Sequence, residues 1–195
     1  MKTFTIILAA VVFTCWLNSC ETAKSDKQTA ISITPSKDDL VKRGTYLVTT
    51  SGCNDCHSPK HMGPNGPEID SLTMLSGFPS NRPIPVANQK DVDNGMIVFN
   101  EDLTACTGPW GTSFAGNITS DETGIGNWTE AQFKNALRKG KYKGLDGGRM
   151  LMPPMPWEDF RNLTDDDVEA IFYYLKSTKP VKNIVPQLRL ANVKK

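Results

Sequence analysis

The segment Cys53-Asn54-Asp55-Cys56-His57 sets two thiols three positions apart and a histidine directly after the second. Two such thiols can each add to one vinyl group of a single porphyrin, and the next side chain, His57, is then placed to bind the iron from below. C-x-x-C-H is in this way the attachment pattern of c-type haem. With 5 Cys and 2 His in 195 residues, chance would assemble the pattern in roughly 0.001 of such chains, so coincidence accounts for it poorly. A surface disulfide or half of a zinc site would use the same thiols. Zinc, however, takes about four ligands, and the thiols left over are Cys106 and the pair Cys15 and Cys20 near the N-terminus. The expected cofactor is one covalently bound haem c, with Cys53 and Cys56 as attachment points and His57 as the proximal iron ligand.

Around this motif, the composition describes one domain: 195 residues, 38% of them hydrophobic, suffice for a single core and scarcely for two. A formal net charge of +1 argues against a nucleic-acid surface. Lys2 followed by an apolar run from Phe4 to Phe13 is too short to span a bilayer and fits the core of a secretory signal. Leu17-Asn18-Ser19-Cys20 then resembles a bacterial lipobox, so residues 1–19 are expected to be removed and Cys20 lipidated. Ordinary secretion with Cys20 idle is the alternative, and Cys15, preceded by Phe13 and Thr14, is the poorer cleavage site. Removal of 1–19 takes away Lys2 alone, which leaves acidic and basic side chains in equal number; partner choice then falls to local patches. From Glu21 to Lys37 the chain is polar and cannot build a core, so 20–37 reads as a lipidated cysteine and a flexible tether.

From Asp38 the pattern is helical. Leu40, Val41, Gly44, Leu47 and Val48 recur at three- and four-residue steps, with Ser36 or Asp38 available as N-cap. Ser51-Gly52 breaks this helix. From His57 to about Pro109, Pro and Gly are too frequent for one long helix, and short turns around the edges of the ring are expected, with a brief strand at Gly95–Phe99. Thr129 through Gln132 has capping-box spacing and opens a short helix carrying Phe133, Ala136 and Leu137 as far as Gly140. Thr164 precedes Asp165, Asp166 and Asp167, acids that suit a helix N-terminus, and Val168, Ile171, Phe172 and Leu175 form an amphipathic stripe that ends near Ser177.

A c-type iron that carries electrons normally has a second axial ligand, His or Met. His61, four residues past His57, is confined to the same side of the ring and reads as a surface or ring-edge residue. In Met150-Leu151-Met152-Pro153-Pro154-Met155-Pro156-Trp157, both Met152 and Met155 precede proline and are pushed toward extended backbone. A polyproline-like run would face them the same way, about 9 Å apart, so only one can bind and both remain candidates. Cys106 is unpaired and reads as a buried packing residue.

Leu75-Ser76-Gly77, Leu103-Thr104-Ala105, Gly108-Pro109-Trp110-Gly111, Phe114 to Thr119, Glu122 to Thr129, and Met155-Pro156-Trp157 through Leu163-Thr164-Asp165 together resemble the haem modules of a known group. These are the cytochrome c subunits of bacterial membrane-bound alcohol, aldehyde and gluconate dehydrogenases, with related single-haem cytochromes. The likeness runs over roughly residues 40–180. It implies that the methionine of the M-P-W motif, Met155, is the distal ligand, with Met152 as the alternative. It also implies that the last helix crosses the first closely, at Gly44. The expected architecture is an all-α cytochrome c domain over 38–185 with an enlarged irregular middle loop, followed by a tail at 186–195.

The expected function is a mono-haem carrier of single electrons, not an enzyme in itself. It would be exported to the periplasmic side of a bacterial membrane and held there by its lipid, or else be soluble in the periplasm. Its partners would be redox proteins met through a small transient interface: a dehydrogenase, a quinol-oxidising complex or a terminal oxidase. A haem enzyme or a gas or redox sensor is the alternative, and would need an open or displaceable sixth position.

Overall fold

The computed structural model describes residues 35–191. The leader, Cys20 with its expected lipidation, nearly all of the tether and residues 192–195 lie outside the described residues. Along the chain the elements are α1 (Lys37–Thr50), α2 (Cys53–His57), β1 (Lys60–Gly63), β2 (Gly66–Ile69), α3 (Gln89–Asp93), β3 (Val98–Phe99), β4 (Ala105–Gly108), β5 (Gly111–Phe114), α4 (Glu130–Lys139), α5 (Trp157–Phe160), α6 (Asp165–Ser177) and β6 (Arg189–Leu190). A 3-10 turn at Tyr142–Gly144 separates α4 from α5. Among the described residues no helix is long and apolar enough to cross a membrane.

The three long helices start where side chains can satisfy their free amides. Ser36 accepts the Asp39 amide while the Asp39 carboxylate accepts the Ser36 N–H, a closed capping box. At α4, Thr129 accepts the Gln132 amide, but the reciprocal arm is absent: Gln132 donates instead to the Lys143 carbonyl. Thr164 caps α6 through the Asp167 amide, with all three acids in the first turn. α1 and α6 cross at Gly44. A Cβ there would lie 2.0 Å from the Ala170 carbonyl oxygen and 2.6 Å from Tyr174 Cβ, so the two backbones meet at a distance only glycine allows. Val48, Leu75, Val168 and Ala170, with Ile125, are the most deeply buried members of the core around this crossing. Phe133 of α4 packs on Phe172 of α6 with ring centroids 5.5 Å apart.

The expectation of an all-α domain is corrected by two antiparallel sheets. β1 and β2 form a hairpin with Lys60 opposite Ile69 and Gly63 opposite Gly66. A four-stranded sheet runs in the order β3-β4-β5-β6. The stretch expected as an irregular loop therefore contributes β1 to β4 to these ladders. β3 falls within the brief strand expected at Gly95–Phe99; the other strands escape a reading of the sequence because they are two to four residues long, too short to display a period-two alternation. Their order is set by tight turns such as Gly108-Pro109-Trp110-Gly111, with Gly108 opposite Gly111. β6 comes from the stretch expected as a tail and pairs Leu190 with Gly111, a partner far away in the chain.

Candidate haem-binding site

α2 follows α1 after a break at Gly52, which takes a left-handed conformation (φ 70°, ψ 21°). On a helix, Cys53, Cys56 and His57 stand at i, i+3 and i+4 and share one face. Both thiols are free and partly buried. Burial pushes the Cys53 thiol up to about 11, Asp55 and Cys56 adding to the effect against a backbone hydrogen bond that lowers it. The Cys56 thiol moves the same way, from burial and then the Asp55 charge.

The His57 ring is fixed by the main chain. Its Nδ1 donates to the Gly116 carbonyl at 2.7 Å; a carbonyl can only accept, so the proton is on Nδ1 and the Nε2 lone pair is left for another use. Burial holds the ring below the ordinary histidine pKa, against the opposing influence of the Gly116 bond, which keeps it the neutral imidazole that a metal requires. The backbone carbonyl of His57 in turn accepts the Gly77 N–H at 2.8 Å.

The C-terminal end of α2 is tied down by Lys60, whose Nζ donates to the carbonyls of Asp55 (2.6 Å), Ser58 (3.1 Å) and Asp102 (2.9 Å). A cation here also answers the negative end of the helix. Asp102 is 1% exposed and is fully engaged. It accepts from Arg82 at 2.5 Å, from Thr104 Oγ1 at 2.6 Å, from Asn100 at 2.7 Å and from the Lys60 amide at 3.3 Å. Burial would raise its pKa; hydrogen bonds from Thr104 and Arg82, with the Arg82 charge, outweigh burial and hold it below the usual carboxylate range.

The 150–158 arm is held differently. It leaves the α4 region through a bridge between Lys141 and Met150 and a bond from the Leu151 N–H to the Gly140 carbonyl at 2.6 Å. The polyproline-like run expected for Met152 and Met155 is not what forms: the Met155 N–H bonds to the Met152 carbonyl at 3.3 Å, closing a turn between them. Met155 packs against the buried core cluster, as do Cys53, Ile118, Trp128 and Phe160. The arm lines a cleft of about 210 Å³ with Leu151, Met155, Trp157 and the three prolines.

His61 lies on β1 facing solvent, 4.0 Å from Glu68. Cys106 is buried on β4 opposite Ser113 and Phe99, as a packing residue should be, and burial followed by the nearby Cys56 raises its thiol to about 11. Gly77, Gly116, Lys60, Asp102 and Arg82 are the partners that the sequence did not single out. Gly77 and Gly116 belong to segments quoted for their likeness to other chains, but nothing local to either announces a bond to His57, which for Gly116 spans 59 residues.

A histidine presented by a main-chain carbonyl with its other nitrogen unengaged, two unbridged thiols on the same helix face and a thioether packed against the same core fit the donor set of haem c. By this chemistry the chain is a c-type cytochrome. It belongs to the cytochrome c family, whose sequence pattern matches residues 41–179. Among relatives, the fructose dehydrogenase cytochrome subunit of Gluconobacter japonicus is 39% identical over 152 residues, 77% of this chain and 24% of that one. The cytochrome c subunit of the alcohol dehydrogenase (quinone) of Gluconobacter oxydans is 33% identical over 146 residues, 73% of this chain and 22% of that one. The gluconate 2-dehydrogenase cytochrome c subunit of Pantoea cypripedii is 29% identical over 154 residues, 78% of this chain and 26% of that one. The chain thus spans about a quarter of the length of these relatives.

Proposed function

We propose that this chain is a mono-haem cytochrome c that carries single electrons between redox partners at the periplasmic side of a bacterial membrane. Cys53 and Cys56 hold the ring through thioether bonds, His57 is the proximal iron ligand and Met155 the distal one. Cys20, outside the described residues, anchors the exported chain through lipid. The observation that carries this reading is the 2.7 Å bond from His57 Nδ1 to the Gly116 carbonyl, because it fixes the tautomer and leaves Nε2 to the metal.

When bound, haem c supplies a reversible one-electron couple. The residues of this chain orient the imidazole, exclude water from its proximal side and close the distal position with sulfur. Met155 is preferred to Met152 because it packs against the cluster that also receives Cys53, and Met152 does not. A sulfur-closed site favours carriage over catalysis, since a substrate would have to displace the ligand. The electron donor or acceptor is a dehydrogenase, a quinol-oxidising complex or a terminal oxidase. The cytochrome subunits of alcohol and fructose dehydrogenases among the relatives favour the first.

Carbon monoxide tests the reading. The purified, reduced holoprotein is expected to refuse it. Rapid binding would assign the chain to the haem enzymes or gas sensors with an open sixth position.

A further inference from the structure

Two segments touch His57, and neither is near it in sequence. Residues 75–80 supply the Gly77 N–H that binds the His57 carbonyl, and residues 115–123 supply the Gly116 carbonyl that binds the ring. The two pack directly on each other. The Phe78 N–H donates to the Ala115 carbonyl at 3.0 Å and the Ile118 N–H to the Leu75 carbonyl at 2.9 Å. Gly77 (φ +75°) lies so close to the Ala115–Gly116 peptide that a Cβ would be 2.4 Å from the Ala115 oxygen and 2.7 Å from the Gly116 oxygen.

One side chain from beyond α6 joins them. Buried Asn183 donates through Nδ2 to the Ser76 carbonyl at 2.7 Å and to the Phe78 carbonyl at 2.9 Å, and its Oδ1 accepts the Ser80 N–H at 2.9 Å. It therefore grips the backbone on both sides of Gly77. Its own main-chain N–H donates to Thr123 Oγ1 at 3.0 Å. The same hydroxyl accepts from Asn117 Nδ2 at 3.0 Å, and Asn117 Nδ2 also reaches the Val181 carbonyl at 2.8 Å. Asn117 is the residue after Gly116. The side chain and main chain of Asn183 thus bind both of the segments that hold His57.

We infer that Asn183, acting with Thr123 and Asn117, is a positioning residue for the axial histidine: the post-α6 strap sets the distance between His57 Nδ1 and the Gly116 carbonyl, and through it the reduction potential. This rests on the reading of His57 as the iron ligand. The physical route is the basicity of the ring. A short Nδ1–H···O bond makes the imidazole a stronger donor and favours the ferric state, whereas a loosened one favours the ferrous state.

Redox titration of the purified holoprotein is the test. Asn183→Ala is expected to shift the midpoint potential to more positive values. Thr123→Val removes the hydroxyl that lies between Asn183 and Asn117, together with its bond to Asp121, but leaves the Asn183 side chain on Ser76, Phe78 and Ser80, and is expected to shift it the same way by less. Arg43→Ala, at a surface ion pair between α1 and α6, is the control and leaves the potential where it was. If Asn183→Ala does not accumulate as holoprotein, the direction of the Thr123→Val shift decides. Unchanged potentials with a lowered melting temperature would overturn the positioning role and leave the proposed function standing. A wild-type ferric electron paramagnetic resonance spectrum without an axial imidazole would overturn both.

Discussion

The two sides of the candidate site are built by opposite means. On the His57 side, the imidazole is gripped at ring and backbone by segments that are themselves cross-linked through main-chain bonds, Asn117 and Asn183. On the Met155 side, Pro153, Pro154 and Pro156 have no N–H to give, so beyond its bridge at Met150 the arm cannot ladder with a neighbour. It is held by the bond from Leu151 to Gly140 and by Ser113 Oγ, which donates to the Pro153 carbonyl at 2.6 Å. Hydrogen bonds fix the proposed proximal ligand, and proline stiffness with apolar packing fixes the proposed distal one. A histidine's direction and basicity depend on its second nitrogen, so it needs the first kind of support. A thioether has only to reach and fill, and methionine tolerates the second.

The largest effect is expected at the hydrogen-bonded side. Gly77→Ala adds both a left-handed strain and a contact at 2.4 Å with the Ala115 oxygen, at a cost of about 2–5 kcal/mol, and denaturant unfolding should show it together with a weakened low-spin ferric spectrum. An unchanged unfolding midpoint would remove the claim that this side is over-determined.

Met155→Ala should cost less stability, about 2 kcal/mol for a partly buried methionine, yet it should open the reduced holoprotein to carbon monoxide, which Met152→Ala should not. If Met152→Ala opens the site instead, the two methionines exchange roles. Acid provides the third contrast. The folded Asp102 carboxyl titrates below its unfolded value of about 4, so its contribution is complete above that pH and is lost as pH falls through the lower, folded value. Asp102→Asn should unfold more easily at neutral pH and lose less stability than wild type as the pH falls below about 4, as read by melting curves at successively lower pH. The smallest effect is Ser113→Ala, which removes the arm's bond to Pro153 and should cost about 0.5–1.5 kcal/mol with a modest rise in the rate at which the methionine is displaced by added imidazole.

What could be read from the sequence divides along the same line. Local chemistry was legible: an N-cap at Ser36 or Asp38, of which Ser36 is the one used, the cap at Thr129, the three acids that open α6, its end at Ser177, and the apolar stripes of the long helices follow from residues within a turn or two of one another. The three residues of the attachment motif share a helix face for the same reason. The sheets did not announce themselves, because strands of two to four residues carry no period and their pairing is settled by contacts such as Gly111 with Leu190. The supports of His57 were equally hidden. Gly116 is 59 residues away, and Asn183 follows α6 in a stretch whose composition says only that the helix has stopped. Nearby residues mark out the histidine of the motif; distant ones determine how it is held.

The most direct measurement is the near-infrared absorption of purified ferric holoprotein. A methionine-to-iron charge-transfer band is expected in wild type and in Met152→Ala and should vanish in Met155→Ala. A wild-type spectrum with no such band, or a band that survives the loss of Met155, would contradict a site closed by this sulfur opposite His57.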